Sequence, residues 1–287
     1  TYFTRDCDVV LRYESLAADL NALTKRVGCA VKAPANFVKP PGWGSARGDL
    51  APSLSYEVLA KAKQLYREDY LLYERLRRMD VGAGAGIIAI AASLAKLFRG
   101  GQIAPHFDAH DLWNHSIAVA TATKMIGKEA QLGLADEAFL AGLIHDIGIM
   151  VEIQAMRGKF VEVILKKKEN PELSLRAIET EILGADHQEF GAGLCRAWKF
   201  PNSFIYVTGH HHNPMELEED QRKLASAVNL ADVLVAKLGI GYTDTVDNLE
   251  FNQEVLADLN LTCDQVEKIG EALPNAMEEA ENLLDAA

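Results

Sequence analysis

The sequence predicts an all-α protein: a large multi-helix domain preceded by a small, mostly helical segment with one short strand. Two observations lead there. From Ile87 onward, apolar residues recur at helical spacing almost without interruption, and short turns marked by Gly, Pro or Asn separate the segments. The 287 residues are 49% hydrophobic and 24% charged, a mixture that buries a sizeable core and excludes wholesale disorder.

Taken in order, Asp8 to Tyr13 reads as a short β-like run. A helix follows from Ser15, with Leu16, Leu20, Leu23 and Val27 on one face, and stops at Gly28. Pro34, Pro40, Pro41 and Pro52 make the next stretch an irregular loop, and Ser55 opens a second helix carrying Leu59, Leu65 and Tyr66. Val81 to Gly86 marks the boundary between a segment at 1–80 and a domain at 81–287. Its glycines follow GxGxG, not GxGxxG, and no strand precedes them, so they read as a linker or helix entry. Helical segments are then predicted over 87–98, 109–127, 135–147, 151–168, 174–182, 187–199, 202–212, 220–238, 252–258 and 263–285.

The chain carries 29 Lys and Arg against 41 Asp and Glu, a net charge of −12, which argues against nucleic acid or an anionic membrane as the main partner. The apolar stretch Val81 to Leu97 is interrupted by glycines and Lys96 and falls short of the roughly 20 residues of a membrane span. Cys7, Cys29, Cys195 and Cys263 are far apart with no CxxC, which suits reduced thiols and a cytoplasmic location.

All eight histidines lie between His106 and His212. His115 shares an apolar stripe with Leu112, Ala118 and Ala122, and His145 and Asp146 end the helix EAFLAGLIHDIG. His187 opens a helix where Asp186 and Glu189 have the spacing of a capping box. His211 and His212 fall on the stripe of Phe204, Ile205 and Thr208, and Asp232 shares a face with Val228 and Val235. A histidine taken singly on such a face reads as a satisfied core or capping residue. The ordered set H…HD…H…HH…D reads instead as a metal centre, because buried imidazoles and carboxylates need a partner. Nitrogen and oxygen donors of this kind suit Zn, Mn, Fe or Ni. His106, His110 and His210 stand outside the pattern as surface or loop residues.

The segments LWNHSIAVA, EAFLAGLIHDIG, GADHQEFGAGLCRAW, FPNSFIYVTGHHHNP and LASAVNLADVLVAKLGIGY resemble an HDOD domain, from residue 87 or so to the C-terminus. That family is the output-module branch of the HD metal-dependent phosphohydrolase superfamily. The resemblance implies one metal position at His115, His145, Asp146 and Asp232. Asp146 would bridge to a second held by His187, His211 and His212. Divalent Mn, Fe, Mg, Zn or Ni would fill them, and His145 and Asp146 would be the catalytic pair of an active member. Two departures stand out. The position after HDIG is commonly Lys in the superfamily and is Ile149 here, and no GYP motif follows the HHH run. The apolar helical lobe that usually precedes this region is also missing from the pattern.

The first eighty residues resemble the C-terminal part of a sulfotransferase, through VVLRYESLAADLNALTKRVG and LAKAKQLYREDYLLYERL. That family's phosphate-binding loop lies near its own N-terminus and has no counterpart here. Together these readings imply a bacterial signal-transduction output module acting through ligand or partner binding. The alternative is a metal-dependent phosphohydrolase or phosphodiesterase acting on a nucleotide or phosphoester. The expected partner is a signalling protein or a nucleotide-like small molecule, with homodimerisation left open.

Overall fold

A computed structural model of the chain describes residues 101–285, with side chains up to residue 282. The expected segment at 1–80, the boundary at 81–86 and the helix at 87–98 lie outside the described residues. Within them the order is β1 (Gln102–Ala104), β2 (Phe107–Asp108), α1 (Ala109–Glu129), α2 (Ala135–Ile144), α3 (Ile147–Glu169), α4 (Leu175–Leu183) and α5 (His187–Ala197). There follow α6 (Asn202–His210), a 3₁₀ turn (Pro214–Glu216), α7 (Glu219–Lys237), α8 (Gln253–Asp258) and α9 (Cys263–Asp285). The fold is all-α apart from the small antiparallel hairpin.

That hairpin falls between the helices expected over 87–98 and 109–127 and leaves the all-α expectation intact. Pro105 fixes its own φ and His106 takes φ 68, so the chain reverses in two residues and pairs Ala104 with Phe107. Phe107 then anchors it, edge-on to Phe160 of α3 at 4.9 Å and to Tyr242 at 4.8 Å between ring centroids.

One correction concerns the helix expected over 135–147. It stops at Ile144, and α3 begins at Ile147 instead of 151, leaving His145 and Asp146 at the junction. α3 is itself kinked at Met156 (φ −137, ψ 39).

α1 packs against α2, α7 and α9, while α3 packs against α4 and α5; α6 joins α5 to α7. Their shared core includes Leu112, Ile126, Ile149, Met150, Phe160, Ile178, Phe190, Leu194 and Leu230. Each such side chain contributes about 1.5–3 kcal/mol when removed from water. The stretch Ala135–Glu169 is long and apolar enough by composition to cross a membrane, yet 78% of its most apolar window is buried inside the protein. It is a core segment bent at the His145–Asp146 junction.

Candidate metal centre

Five parts of the fold deliver the seven side chains. His115 projects from the middle of α1, and His145 and Asp146 occupy the α2–α3 junction. His187 is the first residue of α5, His211 and His212 follow α6, and Asp232 lies in α7. Asp146 stands at the N-cap of α3, but its side chain makes no capping hydrogen bond. An aspartate there ordinarily accepts from the first-turn N–H groups. Here the carboxylate turns to the histidines instead. Asp186, by contrast, caps α5 in a complete capping box with Glu189, which fixes where His187 enters.

Two glycines let these parts meet. A Cβ on Gly148 would overlap the carbonyl oxygen of His187, so the starts of α3 and α5 touch only because it has none. Gly241, at φ 70, brings the loop after α7 onto the backbone of α1 at His115.

The structure brings all seven residues together. Asp146 Oδ2 lies 3.3 Å from His145 Nε2 and 4.0 Å from His115 Nε2. Its other oxygen, Oδ1, lies 3.3 Å from His211 Nε2 and 3.6 Å from His187 Nε2. Asp232 closes the first half, with Oδ1 3.1 Å from His115 Nε2 and 3.9 Å from His145 Nε2. His212 closes the second half, its Nε2 3.0 Å from His187 Nε2, while its Nδ1 lies 3.7 Å from Asp232 Oδ2. Ligating atoms of Asp146, His187, His211 and His212 fall within 4.8 Å of one another, as do those of His115, His145 and Asp146. Asp146 therefore sits between two clusters, one oxygen toward each.

The histidines are aimed by their outer nitrogens. Nδ1 donates to the carbonyl of Gly142 from His145 (2.7 Å), of Val207 from His211 (3.1 Å) and of Ile240 from His115 (3.4 Å). His187 Nδ1 donates to the Glu179 carboxylate at 2.8 Å. Because only acceptors face Nδ1, the lone pair is left on Nε2, pointing inward. His115 Nε2, His145 Nε2, His211 Nε2, both Asp146 oxygens and Asp232 Oδ1 are buried without any hydrogen-bond partner. Each buried group left so costs about 1–3 kcal/mol, so a cluster of them is a strong demand for a shared partner. Mixed imidazole and carboxylate donors converging in this way fit a divalent metal ion.

The electrostatics agree with that demand. Burial pushes the His145 pKa down, but the Asp146 and Asp232 carboxylates outweigh it and leave it raised. Burial also opposes charge on His187, yet Glu179, with Asp146 and Asp186, lifts it to about 9. For Asp146 burial acts upward, and His145, His211 and His187 together drive it well below the ordinary range. Burial lowers His211 and lowers His212 further, where His211, His187 and Arg176 add to the effect. The carboxylates thus favour positive charge at His145 and His187, while burial disfavours it at His211 and His212.

The sequence reading missed several supporting residues. Glu179 accepts from both the backbone N–H and the ring of His187. Asn229 Nδ2 donates to the carbonyl of His211 at 2.8 Å. Glu152 is fully buried with both oxygens unpaired, and burial, Glu179, Asp186 and Asp146 push its pKa well above 4.5. A signal existed for two of them: Glu179 lies four residues from both Leu175 and Leu183, and Glu152 interrupts the apolar run GIMVEI. Ile149 is fully buried in the core. His106 and His110 are exposed, and His210 is half-buried beside Glu216 at 3.6 Å.

Comparison with known proteins bears on the family and the fold. Residues 85–214 match the HDOD domain family. An uncharacterised protein of Treponema pallidum (strain Nichols) is 27% identical over 130 residues, 43% of this chain; the match spans only 24% of that relative's length. An HDOD domain protein of Geobacter sulfurreducens superposes with a TM-score of 0.58 at 19% identity, over 79% of this chain and 85% of that one. A candidate signal transduction protein of Marinobacter aquaeolei VT8 superposes with a TM-score of 0.60 at 18% identity, over 97% of this chain and 68% of that one. At these identities the superpositions speak for the fold. The HDOD family match over residues 85–214, the all-α architecture of the described residues and the ordered histidines and aspartates agree with one another.

Proposed function

We propose that this domain is a signal-transduction output module built round an HD-type metal centre, which acts by binding a ligand or partner. The observation that carries it is the set of buried, unpartnered Nε2 and carboxylate oxygen atoms converging from five parts of the fold. His115, His145, Asp146 and Asp232 would hold one divalent ion, and Asp146, His187, His211 and His212 a second. An ion there supplies Lewis acidity and a fixed positive charge. The chain's own residues orient the donors and exclude water, since six of the seven side chains are at most 2% exposed. That enclosure, with Ile149 buried where a cation is common in the superfamily, favours a binding module over rapid turnover. The HDOD family match, and the description of the Marinobacter relative in signal transduction, support the signalling side. The partner is proposed to be a signalling protein or a nucleotide-like small molecule, met in the cytoplasm.

A second reading is a metal-dependent phosphohydrolase, favoured by the completeness of the donor set. Protein loaded with Mn²⁺ or Fe²⁺ and offered bis-p-nitrophenyl phosphate and a nucleotide panel separates the two. The module reading expects metal retained without turnover. Turnover abolished by His145→Ala and by Asp146→Ala would establish the hydrolase instead.

A further inference from the structure

A cleft of about 600 Å³ opens between the turn joining α3 to α4 and the loop that follows α7, and none of the seven proposed metal ligands lines it. Lys167, Lys168 and Glu172 stand on one wall, and Asp244, Asp247 and Leu249 on the other. Both walls are pinned. Lys167 Nζ donates to the carbonyls of Pro171 at 3.0 Å and Leu173 at 2.7 Å, which fixes the turn after α3. Ser174 Oγ donates to Asp247 Oδ2 at 2.8 Å and ties that turn to the opposite loop. A surface held open in this way loses little conformational freedom when it is covered.

Three of the five large hydrophobic side chains exposed among the described residues gather here. Leu249 lines the cleft at 49% exposure, and Leu173, at 39%, lies between the lining residues Glu172 and Ser174. Leu165, at 41%, stands one turn before Lys168 on the same face of α3. Scattered leucines need no explanation, but a group of them at the lips of one cleft marks an interaction surface.

The charges say what covers it. Lys168 belongs to the basic run Lys166 to Lys168, in a chain whose net charge is −12. Lys166 is engaged by Glu181 and Lys167 by the two carbonyls. Lys168 is exposed, with no ion-pair partner among the described residues. Asp244, on the opposite wall, is likewise exposed and unpaired among them. One surface thus offers a free cation, a free anion and apolar lips, and is complementary to itself. A two-fold interface requires such a surface, since every contact from residue i to residue j is repeated from j to i.

We propose that this cleft is the face through which two copies of the chain pair, Lys168 of each protomer meeting the partner's Asp244 and the leucines packing between them.

Sedimentation equilibrium of the full chain tests this, with thermal melts to confirm folding. The wild type is expected to dimerise in a concentration-dependent way. Leu249→Asp changes an exposed loop position and should keep the melting curve while abolishing the dimer. Lys168→Glu and Asp244→Lys should each weaken association about tenfold, because each turns two symmetric ion pairs into two like-charge contacts. The double variant Lys168→Glu/Asp244→Lys restores opposite charges and should recover the wild-type affinity. Should Leu249→Asp fail to fold, the charge swap still decides. A wild type that stays monomeric at every concentration overturns the proposal and leaves the cleft to a partner of different sequence. A dimer indifferent to Leu249→Asp overturns it by placing the interface elsewhere, and a double variant no tighter than the single ones overturns it as well.

Discussion

Glu179 grips His187 twice, through the ring Nδ1 at 2.8 Å and the backbone N–H at 3.0 Å. Such partners fix the tautomer and direction of an imidazole, and their loss typically weakens metal binding by about 10–100-fold. Glu179→Gln should do so with little change in fold, read as a shifted midpoint in a metal-chelator competition. Unchanged metal affinity would confine Glu179 to a packing role. Glu152 behaves differently, because both its oxygens are buried and unpaired. Burial and the neighbouring Glu179, Asp186 and Asp146 carboxylates hold its pKa well above 4.5, so folding binds a proton there. The sign follows: stability contributed at low pH falls as pH climbs from 4.5 toward the raised value. Glu152→Gln cannot titrate and should flatten that slope. Thermal melts of the chelator-treated protein between pH 5 and 8 should show the variant gaining on wild type as pH rises; parallel curves would contradict it.

At the scale of elements, the centre depends on helix starts and stops. The α2–α3 break falls on His145 and Asp146 themselves, with Gly142 and Gly148 flanking it inside the helices, which is why the apolar pattern from Ala135 reads as one helix through 147. The hairpin escaped for a related reason: strands of three and two residues are too short to show alternation. The long helices α1, α7 and α9 were legible because their apolar stripes run for several turns. The α3–α5 contact is the most sensitive joint. Gly148→Ala places a methyl against the carbonyl of His187, where overpacking costs about 1–3 kcal/mol, and pushes His187 away from Asp146. We expect a lower melting temperature together with lost metal affinity. Gly158→Ala on the same helix, where nothing lies within 4 Å of the added methyl, is the control and should leave metal affinity unaltered without lowering the melting temperature. A Gly148→Ala protein with wild-type metal affinity would show that this joint does not set the site.

At the scale of the whole molecule, residues separated by 117 positions, His115 to Asp232, are collected by α1, the α2–α3 junction, α5, the end of α6 and α7. The proposed ligands were visible in sequence because each is polar at a helix end or on an apolar stripe. Their supports were harder to see, since Asn229 and Glu179 act through hydrogen bonds to His211 and His187 that a stripe alone does not specify. The central claim is that the orphaned nitrogens and oxygens hold metal. Elemental analysis of full-length protein purified without chelator, beside Asp146→Ala, tests it most directly. The account predicts stoichiometric divalent metal in the wild type and its loss in Asp146→Ala, the residue that faces both halves. A folded wild-type protein that takes up no divalent metal under any loading condition, or an Asp146→Ala variant that retains the full complement, would contradict it.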